Sequence, residues 1–317
     1  MDGAGINPIG DVLLLLQYLR VFRRYRPAAY LGFTIKPNVY GSLAARSFGI
    51  SAINNVSGLG TVFIHRTWLT VVARLLYRLA FKASAVVFFQ NQADRRQFVD
   101  MHLVDQKQTA LLPGSGVDLE YFRPASCAEQ RSDGTWRFLM VARLLWDKGV
   151  REFVEAARIV RLAHPAAKFQ LLGFLDVENR TAVDHATVAA WVREGVVEYL
   201  GQSDDVRPFM ACADCVVLPS YREGTPRSLL EAAAMGTPLV ATDVPGCREV
   251  VDDGVNGYLC KVRDPADLAA KLIQFILLSE PQRSAMGRSS REKAEREFSV
   301  HVVVGKYLDA LAEHGAS

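Results

Sequence analysis

The chain has 317 residues, half of them hydrophobic, and carries 37 Lys and Arg against 34 Asp and Glu, a net charge of +3. That length and apolar content suit about two domains with well-buried cores. No run approaches the roughly 18 uncharged apolar residues of a membrane span, Val12–Leu16 being far too short, and no signal peptide is read, as expected of a soluble two-domain enzyme. The charge is unevenly placed: residues up to Ala125 hold 14 Lys and Arg against 7 Asp and Glu, whereas the remainder holds 23 against 27. A basic first half points to an anionic partner, and without a nucleic-acid motif a phosphorylated acceptor or a membrane surface fits better than nucleic acid. The five cysteines (Cys127, Cys212, Cys215, Cys247, Cys260) are odd in number and scattered, as expected in a reducing cytoplasm. Cys212 and Cys215 form a C-x-x-C, but no second pair or spaced histidines follow, and Cys215 leads into a strand, so the cysteines are expected to act as small buried hydrophobes.

Short β-rich runs alternate with helical patterns along the whole chain, the signature of parallel α/β domains. In the first half the patterns predict a helix over about Pro8–Arg24, a strand around Ala28–Gly32, a helix near Asn38–Phe48 and a strand near Ile50–Asn54. A helix over about Arg66–Lys82, a strand at Ala85–Phe89 and a helix from Ala93 follow. Leu111–Asp118, with its glycines and proline, marks a turn-rich exit. The expected layout is a first domain over 1–122, a linker over 123–134, a second domain over 135–298 and a terminal helix over about 299–312 within 299–317 that crosses back. There are no internal repeats and no low-complexity tracts.

The second half opens with a strand at Arg137–Ala142, followed by Arg143 and Lys148, at the carboxyl edge where open α/β sheets bind ligands. Its most informative stretch is Ser220–Gly236. Val216–Leu218 reads as the end of a buried strand, Thr225 as an N-cap, Pro226 as the first helical residue and Gly236 as the stop. The free N–H groups of that helix start, with the helix dipole, suit a phosphate. Glu223 lies in the loop before the helix, and Glu231, five residues past Pro226, lies roughly 7.5 Å deeper along the axis. One carboxylate can meet a sugar and the other a ribose, with a diphosphate between them. Ordinary α/β architecture with a solvated Glu231 gives the same pattern.

Glu223 and Glu231 together resemble the E-x7-E motif of glycosyltransferase family 4, retaining enzymes of the GT-B fold. The resemblance continues through Val141–Gly149, Thr237–Glu249 and Asp253–Leu259, covering most of the second half in the family's order. It implies two Rossmann-like α/β domains facing across a cleft and a nucleotide-sugar donor, UDP-linked in the nearest branch. It also implies that Arg143 and Lys148 contact the diphosphate and stabilise charge on the departing nucleotide, as two fixed cations in a dry cleft would. Glu231 is then expected to accept the ribose hydroxyls and Glu223 to contact the transferred sugar. Gly224 and Thr225 would offer backbone N–H groups beside Pro226, while Glu249 either joins the site or caps locally. No metal and no other cofactor is expected, since Arg and Lys take the metal's place.

In the first half, Thr34–Gly41, Gly58–Gly60 with Val62–Phe63, Gln90–Asn91 and Pro113–Asp118 resemble the branch that adds a sugar, often an N-acetylhexosamine, to an undecaprenyl-diphosphate-linked sugar in bacterial glycan assembly. The implied partners are a nucleotide sugar, a lipid-linked acceptor and the inner face of the cytoplasmic membrane. Lys36 and Asn38 are placed at the acceptor, and Gly58 and Gly60 approach the donor. Arg74, Arg78 and Lys82 recur at spacing four, with Val71, Val72, Leu75, Leu76 and Leu79 filling the rest of the helix, and Arg20, Arg23, Arg24 and Arg26 lie among Tyr18, Phe22 and Tyr25. Basic and aromatic faces of this kind suit an anionic bilayer, and a helix packed on a sheet with a solvated basic face gives the same pattern. The family ordinarily places a strand, a glycine-rich loop and further β/α units ahead of the segment like Gly5–Pro8, so the first domain is expected to be incomplete. A soluble acceptor, or a copy that only binds nucleotide, are the alternative readings.

Overall fold

The computed structural model describes residues 8–58, 68–127, 135–175, 179 and 181–315. The chain divides into two compact units, Met1–Ser115 with His301–Ser317, and Gly116–Val300. Each is an α/β layer structure around one parallel sheet.

The first unit runs α1 (Pro8–Tyr25), β1 (Ala29–Phe33), α2 (Ser42–Arg46), β2 (Ser51–Val56), α3 (Trp68–Phe81), β3 (Ser84–Phe89), α4 (Gln92–Asp100) and β4 (Thr109–Leu111). The four strands lie in the order β1-β2-β3-β4, all parallel. Strand β2 is buried along nearly its whole length, as expected of a strand covered on both faces. Phe22, Ala44 and Ala45 of α1 and α2 pack with Ile50 and Ala52, and Tyr77, Phe81, Phe89 and Phe98 form an aromatic core. A one-turn π-helix at Pro37–Gly41 precedes α2, where the sequence pattern gives a regular helix from Asn38. Strand β4 falls where only turns are expected.

The second unit runs β5 (Arg137–Val141), α5 (Val150–Ala163), β6 (Lys168–Leu172), α6 (His185–Arg193), β7 (Glu198–Tyr199), α7 (Arg207–Cys212), β8 (Cys215–Leu218), α8 (Arg227–Ala234), β9 (Leu239–Thr242), α9 (Cys247–Val250), β10 (Gly257–Cys260), α10 (Pro265–Ile276) and α11 (Glu280–Glu297). Its six parallel strands lie in the order β10-β9-β8-β5-β6-β7. The period-two alternation of β5 sends Phe138 and Met140 to the core shared with α5 and α10, and Leu139 to the core shared with α8.

The last helix, α12 (Val300–His314), places Val303 and Ala310 against Ile53, Phe88 and Leu112 of the first unit. The division at Ser115/Gly116 comes earlier in the chain than the expected boundary at 122, because Val117 and Phe122 are buried in the second unit's core. Residues 128–134 of the expected linker, the start of the helix at Arg66, and Gly5–Asn7 lie outside the described residues.

One expectation is corrected. Cys127 and Cys212 form a disulfide, with Cα atoms 4.6 Å apart and 85 positions between them in sequence. The local C-x-x-C spacing hides this pairing, because Cys215 enters β8 and turns into the core while Cys212 ends α7. Cys215, Cys247 and Cys260 are free and buried, and burial pushes their thiols up, Cys260 to about 12.

Candidate functional site

The residues singled out in the second half gather at the carboxyl ends of β5, β8 and β9. The parallel arrangement brings these ends to one edge. Arg143 follows β5 and is exposed, with no partner for its guanidinium among the described residues. Lys148 sits in a 3-10 turn over Trp146–Lys148, and its Nζ contacts Glu223 Oε1 at 2.5 Å. Both side chains are largely shielded, 22% and 10% exposed.

Close backbone packing holds the loop that carries Glu223. Gly149 has a φ of +76°, and a Cβ there would lie 2.0 Å from Pro219 O. Gly246 has a φ of +86°, and its Cβ would lie 2.0 Å from Gly224 O. Only glycine permits either approach. Tyr221 N and Ser220 Oγ both donate to Asp147 O, at 2.9 and 3.3 Å, and Thr242 Oγ1 donates to Ser220 O. The strand-to-helix loop is thus bound to the neighbouring loop after β5 and to the end of β9.

Helix α8 begins one residue later than the sequence signals, with Pro226 at the N-cap (ψ 119°) and Arg227 as its first residue. Pro226 itself makes no side-chain cap, and a helix start of this kind suits an anion. Thr225, the expected cap, precedes the N-cap position, and it and Gly224 each have interactions of their own. Glu231 lies on the same helix, 8% exposed. Its Oε1 accepts from Arg227 Nε at 2.8 Å, and the Arg227 side chain is itself 75% exposed. Burial raises the Glu231 carboxyl above its usual range, with Arg227 opposing the shift. Glu249 takes the local role: its Oε2 accepts from Gly246 N at 2.7 Å, capping α9.

In the first unit, Lys36 Nζ pairs with Asp11 at 2.9 Å. Asn38 is 1% exposed, and its Nδ2 donates to Asn55 O at 2.8 Å. Its expected role at the acceptor is therefore corrected: the π-helical turn directs this side chain inward, where it braces β2. Gly58 is described, with a φ of +145°, while Gly60, Val62 and Phe63 lie outside the described residues.

Sequence reasoning passed over Tyr221, Glu152 and Arg263. Tyr221 Oη donates to Glu152 Oε1 at 2.9 Å, and Arg263 stacks 4.5 Å from the Tyr221 ring centroid. Their separation in sequence leaves no local pattern to read.

The profile of the family described as glycosyl transferases group 1 matches residues 135–277, a span that contains Arg143, Lys148, Glu223 and Glu231. The N,N'-diacetylbacillosaminyl-diphospho-undecaprenol alpha-1,3-N-acetylgalactosaminyltransferase of Campylobacter jejuni is 30% identical over 287 residues, 86% of this chain and 73% of that protein. The UDP-Gal:alpha-D-GlcNAc-diphosphoundecaprenol alpha-1,3-galactosyltransferase of Escherichia coli is 24% identical over 314 residues, 96% of this chain and 80% of that protein. Among solved structures, Anabaena HepE in complex with UDP superposes with a TM-score of 0.77 at 21% identity, over 95% of this chain and 82% of its own. A glycosyltransferase from Rickettsia africae superposes with a TM-score of 0.78 at 17% identity, over 99% and 83%. The two parallel-sheet, Rossmann-like units are those of the GT-B fold, and the chain belongs to the group 1 glycosyltransferases, as a hexosyltransferase.

Proposed function

We propose that this enzyme moves a hexose or N-acetylhexosamine, with retention at the anomeric carbon, from a UDP-sugar to a polyprenyl-diphosphate-linked acceptor in bacterial polysaccharide or glycoprotein glycan assembly. The donor half is supported by the Lys148–Glu223 contact between the turn after β5 and the loop after β8, with Arg143 on the same turn and Glu231 on the helix that follows the loop. Breaking the bond between sugar and diphosphate leaves negative charge on the departing phosphate. Arg143 and Lys148 meet that charge, so no metal ion is required and turnover persists in chelator. Lys148 exchanges Glu223 for the diphosphate, which frees the Glu223 carboxylate to face the sugar. Glu231 offers its second oxygen to the ribose, beside backbone N–H groups of Gly224, Thr225 and the α8 start after Pro226. The acceptor half rests on the two relatives, both named for undecaprenyl-diphosphate acceptors, with Lys36 and Gly58 kept on the acceptor and donor sides of the first unit.

The same reading places the enzyme peripherally on the inner face of the cytoplasmic membrane. Helix α1 exposes Ile9, Val12, Leu13 and Leu16, one stripe at helical spacing, followed by Arg20, Arg23 and Arg24. Helix α3 exposes Val71, Leu75 and Leu79 together with Arg78, and the exposed Lys82 follows its end. Apolar stripes ending in cations suit an anionic bilayer surface. No helix among the described residues is long and apolar enough to cross a membrane.

The test is transfer from a panel of UDP-hexoses and UDP-N-acetylhexosamines to short-chain polyprenyl-diphosphate-linked N-acetylhexosamine, with the product's anomeric configuration read by NMR. Glu223→Gln is expected to lower turnover by at least about 100-fold, the scale of one lost transition-state contact, while UDP affinity stays within a few-fold. Near-normal turnover by that variant overturns the site. Transfer only to water-soluble sugars overturns the acceptor.

A further inference from the structure

Tyr221 joins four segments. Its backbone N–H donates to Asp147 O at 2.9 Å, and its hydroxyl donates to Glu152 Oε1 at 2.9 Å. The Arg263 guanidinium lies over its ring, and Glu223 follows two residues on. Glu152 is in the first turn of α5, four residues after Lys148, and is 7% exposed. Its other oxygen, Oε2, is buried with no hydrogen-bond partner among the described residues. Arg263 reaches the ring from the turn between β10 and α10, with a φ of +59°. That conformation is costly for a side chain other than Gly, Asn or Asp and persists only where the surroundings enforce it.

The chemistry gives this arrangement a task. The Lys148 segment and the Glu223 loop are joined by the Lys148–Glu223 contact. A diphosphate that takes Lys148 removes that link at the moment Glu223 must face the sugar. The Tyr221–Glu152 hydrogen bond joins the same two segments and does not involve the ligand. We infer that Tyr221, held by Glu152 and Arg263, is a positioning residue that keeps Glu223 aligned after Lys148 has turned to the diphosphate. This inference rests on the donor-site reading above.

Tyr221→Phe removes only the hydroxyl. The inference expects UDP affinity, measured by calorimetry, to stay within about threefold, and turnover per UDP-binding site to fall roughly tenfold, the loss of a hydrogen bond to a charged group. Counting active sites by UDP stoichiometry keeps misfolded protein out of that rate. Glu152→Ala is expected to match Tyr221→Phe, and Glu152→Gln, which still accepts the hydroxyl, to restore most of the rate. Adding Tyr221→Phe to Glu223→Gln is expected to lower the residual rate no further, because both act through one carboxylate. Unchanged turnover in Tyr221→Phe overturns the inference, as does a cost that multiplies fully in the double variant. Glu223→Gln alone with normal turnover overturns the donor-site reading instead, so the two failures are distinct.

Discussion

Replacing Glu231 with Gln is expected to move stability and binding in opposite directions. The carboxylate is nearly buried and pairs with Arg227, whose own side chain is largely in water. An ion pair of that kind contributes about 0–1 kcal/mol, less than enough to offset burial, and the Glu231 carboxyl is accordingly raised. A carboxyl with a raised folded pKa binds more protons in the native state, so its presence lowers stability as pH rises from its ordinary value near 4.5 through its folded value. Glu231→Gln removes that penalty. At pH 7 the ligand-free variant should melt above the parent, and the difference should vanish near pH 4. Binding should fall, because losing a hydrogen bond donated to a charged carboxylate costs about 1.5–3 kcal/mol, roughly 10- to 150-fold in UDP affinity. At a UDP concentration 100 times the parent Kd, ligand stabilises the parent by about 2.7 kcal/mol. A variant binding about 30-fold more weakly gains only about 0.9 kcal/mol. At roughly 2–4 °C per kcal/mol, the UDP-induced shift should shrink by about 4–7 °C. Differential scanning fluorimetry at pH 4 and 7, with and without UDP, reads all four states. UDP affinity within twofold of the parent, or a lower ligand-free melting point at pH 7, would refute the assignment.

Three further outcomes are expected. Gly149→Ala should cost at least about 2 kcal/mol in urea unfolding, because its Cβ meets the Pro219 carbonyl oxygen in a left-handed backbone conformation; a cost below about 1 kcal/mol would mean that the loop yields. Reducing the Cys127–Cys212 disulfide, which closes a loop of about 85 residues, should lower the melting temperature by roughly 10 °C, and Cys127→Ser should melt like the reduced protein. Binding to anionic vesicles should weaken as salt rises from about 0.05 to 0.5 M, and Leu13→Asp with Leu16→Asp should abolish it without lowering UDP affinity; salt-insensitive binding would remove the membrane-facing role of α1.

Much of the donor site is legible because it is built from short-range signals. The apolar run ending at Leu218, the Pro226 start and the Gly236 stop locate a strand, loop and helix in the sequence alone. The structure moves the cap only from Thr225 to Pro226, because proline's fixed φ suits the N-cap and the first helical position alike. What stays hidden depends on partners far apart in sequence. Asn38 looks like an acceptor-facing residue at a helix start until β2 arrives with a carbonyl to accept from its amide. Cys212 reads as a small buried hydrophobe until Cys127 is brought beside it. Tyr221 meets Glu152 from 69 positions away, and neither composition nor periodicity records such a meeting.

The ends of the second unit touch. Val117 N donates to Phe298 O at 2.8 Å and Val300 N donates to Val117 O at 3.0 Å, so its first and last residues form a clasp. A polypeptide of 116–300 is therefore nearly a ring, closed everywhere except for one peptide link. Such a segment can be lifted from one host and spliced into another through a single two-stranded stalk, or joined end to end and reopened at an exposed turn such as Gly195. On the donor-site reading proposed above, the first unit is expected to be exchangeable while this one is kept whole.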